Sequence, residues 1–189
     1  MYRSLYSTKT ENDLDDLQQL PEPIFNQRKQ NDFLFIQMKK FSTKDRQLLY
    51  ETFNLFEKDL VSNGLRIFLE IISENPDYKY FWPQFRAIPD SSLISSCVLR
   101  NFARTYMNAL KEIVESLNNE QIPYEVLRRI STKHAMHNIQ MHHIQKMIKP
   151  LLGNVRRELG RQDENAERAW KSLFQTIGII IEHCKLSQT

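Results

Sequence analysis

The chain has 189 residues, a length suited to one domain whose core needs neither disulfides nor metal clips. Hydrophobic residues make up 41% and charged residues 26%, as in ordinary soluble globular proteins, and a net charge of +3 argues for neither nucleic acid nor an anionic membrane as partner. Two cysteines, Cys97 and Cys184, do not form a disulfide framework, so a reducing, cytoplasmic location is expected.

The opening residues, MYRSLYSTKTENDLDD, lack the apolar run of a secretory signal, and Tyr2 is incompatible with N-myristoylation. No stretch approaches the roughly 18 consecutive apolar residues of a membrane span, so no anchor is expected. Glycine occurs only 4 times, strand-type alternation is scarce, and stretches rich in Leu, Glu, Lys, Arg and Gln recur, which predicts an all-α chain.

In chain order, residues 1–40 read as a flexible polar N-terminal arm, because TKTENDLDDLQQLPEPIFNQRKQ carries amides and prolines but few apolar residues. Its patch FLFIQM could dock on the body, which spans 41–186. Ser42 or Thr43 caps a first helix carrying Leu48, Leu49, Phe53, Phe56 and Leu60 at helical spacing. Asn63-Gly64 is expected to break or bend the run, with a second helix over 65–73 ended by Asn75-Pro76. YKYFWPQFRAIPDSS follows as an aromatic connector framed by Pro76, Pro83 and Pro89. A long helix is expected over 92–117, with Leu99, Phe102, Tyr106, Leu110, Ile113 and Leu117 on one face, stopped by Asn118-Asn119. Further helices are expected from Pro123 to about His134, from Met141 to Leu159 and from Glu164 to Lys185.

Four of the five histidines fall in TKHAMHNIQMHHI: His134, His137, His142 and His143. A zinc site from His134 and His137 with one of the others lacks the cysteine or carboxylate partners at telling spacing. On residue types alone, a histidine at a helix end is a polar cap favoured by the dipole, and the others are a solvated face. There is no Gly-rich phosphate loop, no placeable Ser-His-Asp set and no paired-carboxylate motif, so an enzyme is not expected.

From Phe41 to Lys185 the chain resembles the globin family, especially its divergent nematode and neuroglobin-like branches. Pro76 stands where globins open the short C helix, and YKYFWPQF resembles the corner where an aromatic packs flat on the haem with a second aromatic, Phe85, three residues on. Counting back from Phe85 places the first aromatic on Trp82; a one-residue shift gives it to Phe81. LRRISTKHAMHNI places His134 where globins carry the histidine that binds haem iron, followed by Ile139, while Arg168-Ala169-Trp170 resembles the opening of the last globin helix. LRNFARTYMNAL resembles a nematode globin segment in which Phe102 takes the place of the distal histidine, thirty-two positions before His134.

The resemblance implies a three-over-three helical sandwich holding haem b, with His134 as the iron ligand and Phe68, Trp82, Phe85, Phe102, Tyr106 and Ile139 around it. A carbonyl near Ile130 or Ser131 is expected to orient the imidazole. With no distal histidine, the sixth position would take O2, CO or NO, for gas or redox sensing or O2 storage and transport; a redox role would need an electron donor or acceptor protein. Tyr106 can donate to bound O2 if its hydroxyl turns inward; otherwise CO or NO is favoured. Bis-histidyl ligation would need His183 or a histidine of the cluster to reach the far face. Arg104 and Lys133 are candidates for the haem propionates. The alternative reading is a haem-free interaction module of the same fold, its pocket filled by Trp82 and Phe102. An NO dioxygenase or peroxidase-like enzyme is weaker, since no reductase or distal acid–base group is visible.

Overall fold

The computed structural model describes residues 22–186, and every regular element among them is helical. We number the helices α1 (Glu22–Met38), α2 (Thr43–Glu57), α3 (Leu60–Glu74), α4 (Pro83–Arg86), α5 (Asp90–Leu93), α6 (Cys97–Asn118), α7 (Tyr124–Met136), α8 (Met141–Leu159) and α9 (Glu164–Leu186). A 3-10 helix, Pro76–Phe81, joins α3 to α4. The expectation for residues 1–21 lies outside the described residues.

α1 departs from the polar arm expected over 1–40. Its last two turns carry Leu34 and Met38, both buried in the main core, and Phe33 stacks on His183 of α9 at 3.7 Å. Arg128 of α7 also donates to Asn31 at 3.2 Å. The patch FLFIQM therefore docks through Phe33, Leu34 and Met38, while Phe35 and Ile36 stay exposed.

Ser42 caps α2 in a reciprocal box: the Asp45 N–H donates to Ser42 Oγ at 3.1 Å, and the Ser42 N–H donates to Asp45 Oδ2 at 3.2 Å. The chain then turns at Lys58-Asp59, and α3 continues unbroken through Asn63-Gly64, where a break or bend was expected. Both residues are buried within the helix for packing reasons. Asn63 Nδ2 donates to the Phe56 carbonyl at 3.0 Å, satisfying the end of α2. Gly64 lies where α3 meets α6, and a Cβ there would stand 2.8 Å from Met107 Cγ and 3.0 Å from the Ala103 carbonyl oxygen. The glycine marks a close crossing and not a turn.

The helix expected over 92–117 is two helices. α5 ends at Leu93, and α6 starts after Ser96, whose Oγ accepts from the Val98 N–H at 3.1 Å. Serines compete for nearby backbone groups, so the run SSLISS favours a cap over a continuous helix.

α9 packs on α7, α8 and α2, while α3 packs on α6 and α8, giving two crossed layers. The main core holds Phe53, Phe56 and Trp170, and a second cluster forms around Phe68, Phe85, Leu99 and Ala103. No helix among the described residues is long and apolar enough to cross a membrane.

Candidate functional site

A cavity of about 510 Å³ opens between α6, α7, α8 and the aromatic connector, within the roughly 300–1,000 Å³ of cofactor sites. All seven residues singled out from sequence line it or its immediate wall: Phe68 from α3, Trp82 and Phe85 from the connector, Phe102 and Tyr106 from α6, His134 from α7, and Ile139 just beyond.

His134 sits in the last turn of α7. Its Nδ1–H donates to the Ile130 carbonyl at 2.8 Å, the bond expected from the free carbonyls near a helix end. That bond assigns the proton to Nδ1 and leaves Nε2 with its lone pair available for a ligand. Burial lowers the imidazole pKa below its ordinary value; the Ile130 bond opposes the shift and His137 adds to it. The ring is therefore held neutral, the form that binds a metal.

Trp82 links the two sides of the cavity. Its ring lies 5.0 Å from Phe102 and 5.7 Å from His134, centroid to centroid, and 4.6 Å from His137. Phe81 instead contacts Tyr78 and His143. Phe102 is surrounded by aromatics, with Phe68 at 4.9 Å and Phe85 at 5.0 Å. Phe68 also meets Tyr106 edge-on at 4.9 Å. Lys79, buried itself, bonds Asp90 at 2.6 Å and so pins the loop that carries Trp82 and Phe85.

The remaining charged and histidine residues separate. Lys133 lines the cavity, whereas Arg104 bonds Asn101 of its own helix and is absent from the wall. His143 lines the cavity, with Nδ1 accepting the Gln140 N–H at 2.9 Å; His142 is exposed. His183 lies on α9 against Phe33, away from the wall. Among the described residues no group of three His, Cys, Asp or Glu side chains comes together.

Sequence reasoning missed several wall residues. Phe174 and Ile177 from the buried face of α9 line the cavity, and Arg129, also on the wall, pairs with Glu112 at 3.2 Å across α7 and α6. Ile130, expected only for its carbonyl, lines the cavity too. Phe174 and Ile177 were legible only as core positions, because helical spacing does not say which cavity a face meets.

The sequence model of the Globin family matches residues 65–181, more than half of the chain. The chain belongs to the globin family. A relative, Cytoglobin-1 of Oryzias latipes, is 30% identical over 94 residues, which cover 49% of this globin and 53% of that protein. The chain thus matches about half the length of that curated relative. Among solved structures, a double mutant of the myoglobin of Aplysia limacina superposes with a TM-score of 0.68 at 18% identity, covering 76% of this chain and 97% of that one. The hexa-coordinate haemoglobin of Drosophila melanogaster gives a TM-score of 0.66 at 18% identity, covering 75% and 94%. These likenesses establish the globin fold, the three-over-three sandwich expected from sequence.

The cavity suits a flat apolar ring with one polar edge. One imidazole with a free Nε2 faces an otherwise largely apolar wall, and the Lys133 side chain lies on the same wall. Those donors and that lining fit haem.

Proposed function

We propose that this globin binds haem b through His134 and holds a diatomic gas, O2, CO or NO, on the opposite side. The observation that carries the reading is the Nδ1–Ile130 bond, which orients a neutral imidazole into the cavity with Nε2 unengaged by that bond.

Haem would supply an iron that takes the gas. This chain's residues do the rest. His134 Nε2 would hold the iron, and the Ile130 carbonyl, accepting from Nδ1, keeps the ring from rotating and strengthens its basicity. Phe68, Phe102 and Phe85 would exclude water from the gas side, and Trp82, whose ring lies near both Phe102 and His134, would wall the haem. Ile139 lines the cavity with His134, and Lys133 would meet the propionates.

The Drosophila haemoglobin is hexa-coordinate. Here the place matched to a distal histidine holds Phe102, and the cavity's other histidine, His143, is tied at Nδ1 to the start of α8. We therefore infer that no histidine among the described residues would hold the iron opposite His134, which would leave room for the gas, in a binding protein and not an enzyme. Gas or redox sensing and O2 storage are the roles compatible with that site; a redox role would add an electron-transfer partner protein.

Titration of the apoprotein with haemin tests the reading. One equivalent is expected to give a sharp Soret band, His134→Gly to lose it, and free imidazole to restore it. A His134→Gly protein that binds haemin as the wild type does would contradict it.

A further inference from the structure

The chain's two tryptophans are held differently. Trp170 is fully buried in the main core, and its Nε1–H donates to Thr52 Oγ1 at 2.7 Å. Trp82 is half-buried, and its indole N–H bonds no other described residue. Ring contacts hold it instead: Phe102 at 5.0 Å, His134 at 5.7 Å and His137 at 4.6 Å, centroid to centroid. One side chain thus spans the slot from the α6 wall to the end of α7.

That span leaves too little room for a flat ring seated on His134. Carbon atoms in van der Waals contact stand about 3.5–4.0 Å apart, so a flat ring covered on both faces needs about 7 Å or more between the groups that cover it. Trp82 and His134 stand 5.7 Å apart, and the indole must withdraw before a macrocycle lies between them. The backbone around Trp82 is fixed. Pro83 restricts it to the extended conformation it shows, its carbonyl accepts the Phe85 N–H at 3.0 Å, and Lys79 bonds Asp90 at 2.6 Å. The side chain is the part left to rotate, since it is partly exposed and no hydrogen bond to a described residue ties its ring.

We propose that Trp82 is a gate for cofactor entry: in the haem-free chain its indole bars the place beside His134, and haem is admitted only when the side chain rotates out. The inference rests on the haem reading above. Closed, the indole keeps apolar wall from water and leaves His134 and His137 packed. Rotated out, it gives up contacts with three rings, each of which favours the closed form. The fraction of chains with the indole rotated out then scales both the rate of haem uptake and the apparent affinity. Phe81, the neighbouring aromatic, contacts Tyr78 and His143 instead and takes no part.

The test mixes the full-length apoprotein with rising concentrations of CO-bound ferrous haem in a stopped-flow spectrometer, as wild type, Trp82→Ala and Phe81→Leu. The wild-type rate is expected to level off as haem rises, because opening precedes binding. Trp82→Ala is expected to rise linearly and to run roughly tenfold faster or more at the highest concentration, the factor that breaking a few aromatic contacts supplies. Phe81→Leu is expected to keep the plateau of the wild type. A second measurement needs no truncated side chain: fluorine NMR of the apoprotein labelled with 5-fluorotryptophan, the two signals assigned with Trp82→Phe. The Trp82 signal is expected to exchange between two environments while that of Trp170 stays single. The proposal is overturned if wild type and Trp82→Ala rise linearly at the same rate, if Trp82→Ala takes up haem more slowly, or if the Trp82 signal is as static as that of Trp170. Failure of the haem reading looks different: no His134-dependent Soret band in the wild type at all.

Discussion

Phe53, Phe56 and Trp170 pack in the main core, and the polar atom they bring with them is satisfied: Trp170 Nε1 donates to Thr52 Oγ1 at 2.7 Å, which donates in turn to the Leu48 carbonyl at 2.6 Å. Phe68, Phe85, Phe102, Trp82 and Tyr106 pack as closely, at 4.9–5.0 Å, yet border a cavity and leave a buried hydroxyl unpartnered. The first cluster is finished by folding. The second borders open space and keeps a hydroxyl without a partner. Aromatic content does not tell the two apart; hydrogen-bond satisfaction does.

The comparison can be broken by truncation. Phe56 is fully buried, and Phe56→Ala is expected to cost about 3–5 kcal/mol in urea denaturation of the apoprotein. Phe102, half-buried on the cavity wall, is expected to cost less than half as much when cut to Ala, because the space it leaves joins one already there. Equal losses would mean that the two clusters are energetically alike.

The boundary between the clusters offers a second break. Gly64→Ala would push a methyl against Met107 and the backbone of Ala103, where α3 crosses α6. A loss of about 1–3 kcal/mol is expected by thermal denaturation, with weaker haem retention. An unchanged melting point would mean that the crossing has slack.

Hydroxyl deletions sharpen the contrast by sign. Thr52→Val strands the Trp170 N–H and is expected to destabilise by about 1–3 kcal/mol. Tyr106→Phe removes a group without a partner and is expected to leave apoprotein stability unchanged or slightly raised. Denaturation of both variants side by side checks this, and a large loss from Tyr106→Phe would contradict it.

The smallest effect is in pH. His134 has a folded pKa below its ordinary 6.5, so above that value the ring is neutral in both states and makes no difference. As pH falls below 6.5 the unfolded chain takes up the proton first, and the apoprotein loses stability until the folded pKa is passed. His134→Leu is expected to flatten that acid limb, as seen by melting temperature between pH 7 and 5. A limb of equal slope in the variant would show that other groups control it.

The sequence made some of this legible and hid the rest for identifiable reasons. His134 and Phe102 were legible as cavity positions through the globin resemblance, which left the aromatic corner open between Trp82 and Phe81, and a carbonyl at Ile130 or Ser131 followed from helix-end hydrogen bonding. Asn63-Gly64 misled, since the same pair that ends helices also permits a close crossing, and only the partner helix decides. α1 was hidden because seven apolar or aromatic positions among many amides do not reveal that two of them, Leu34 and Met38, meet a core. The orphaned state of the Tyr106 hydroxyl was invisible in principle: a missing partner is a property of the surroundings in space.

The most direct measurement is the absorption spectrum of the haem-loaded chain, ferric, dithionite-reduced and then under CO, beside His134→Ala. The expected result is a five-coordinate ferrous spectrum that converts to a CO complex and is lost in the variant. A split six-coordinate ferrous spectrum, or a CO complex that survives in His134→Ala, would contradict His134 as the axial ligand of an open gas site.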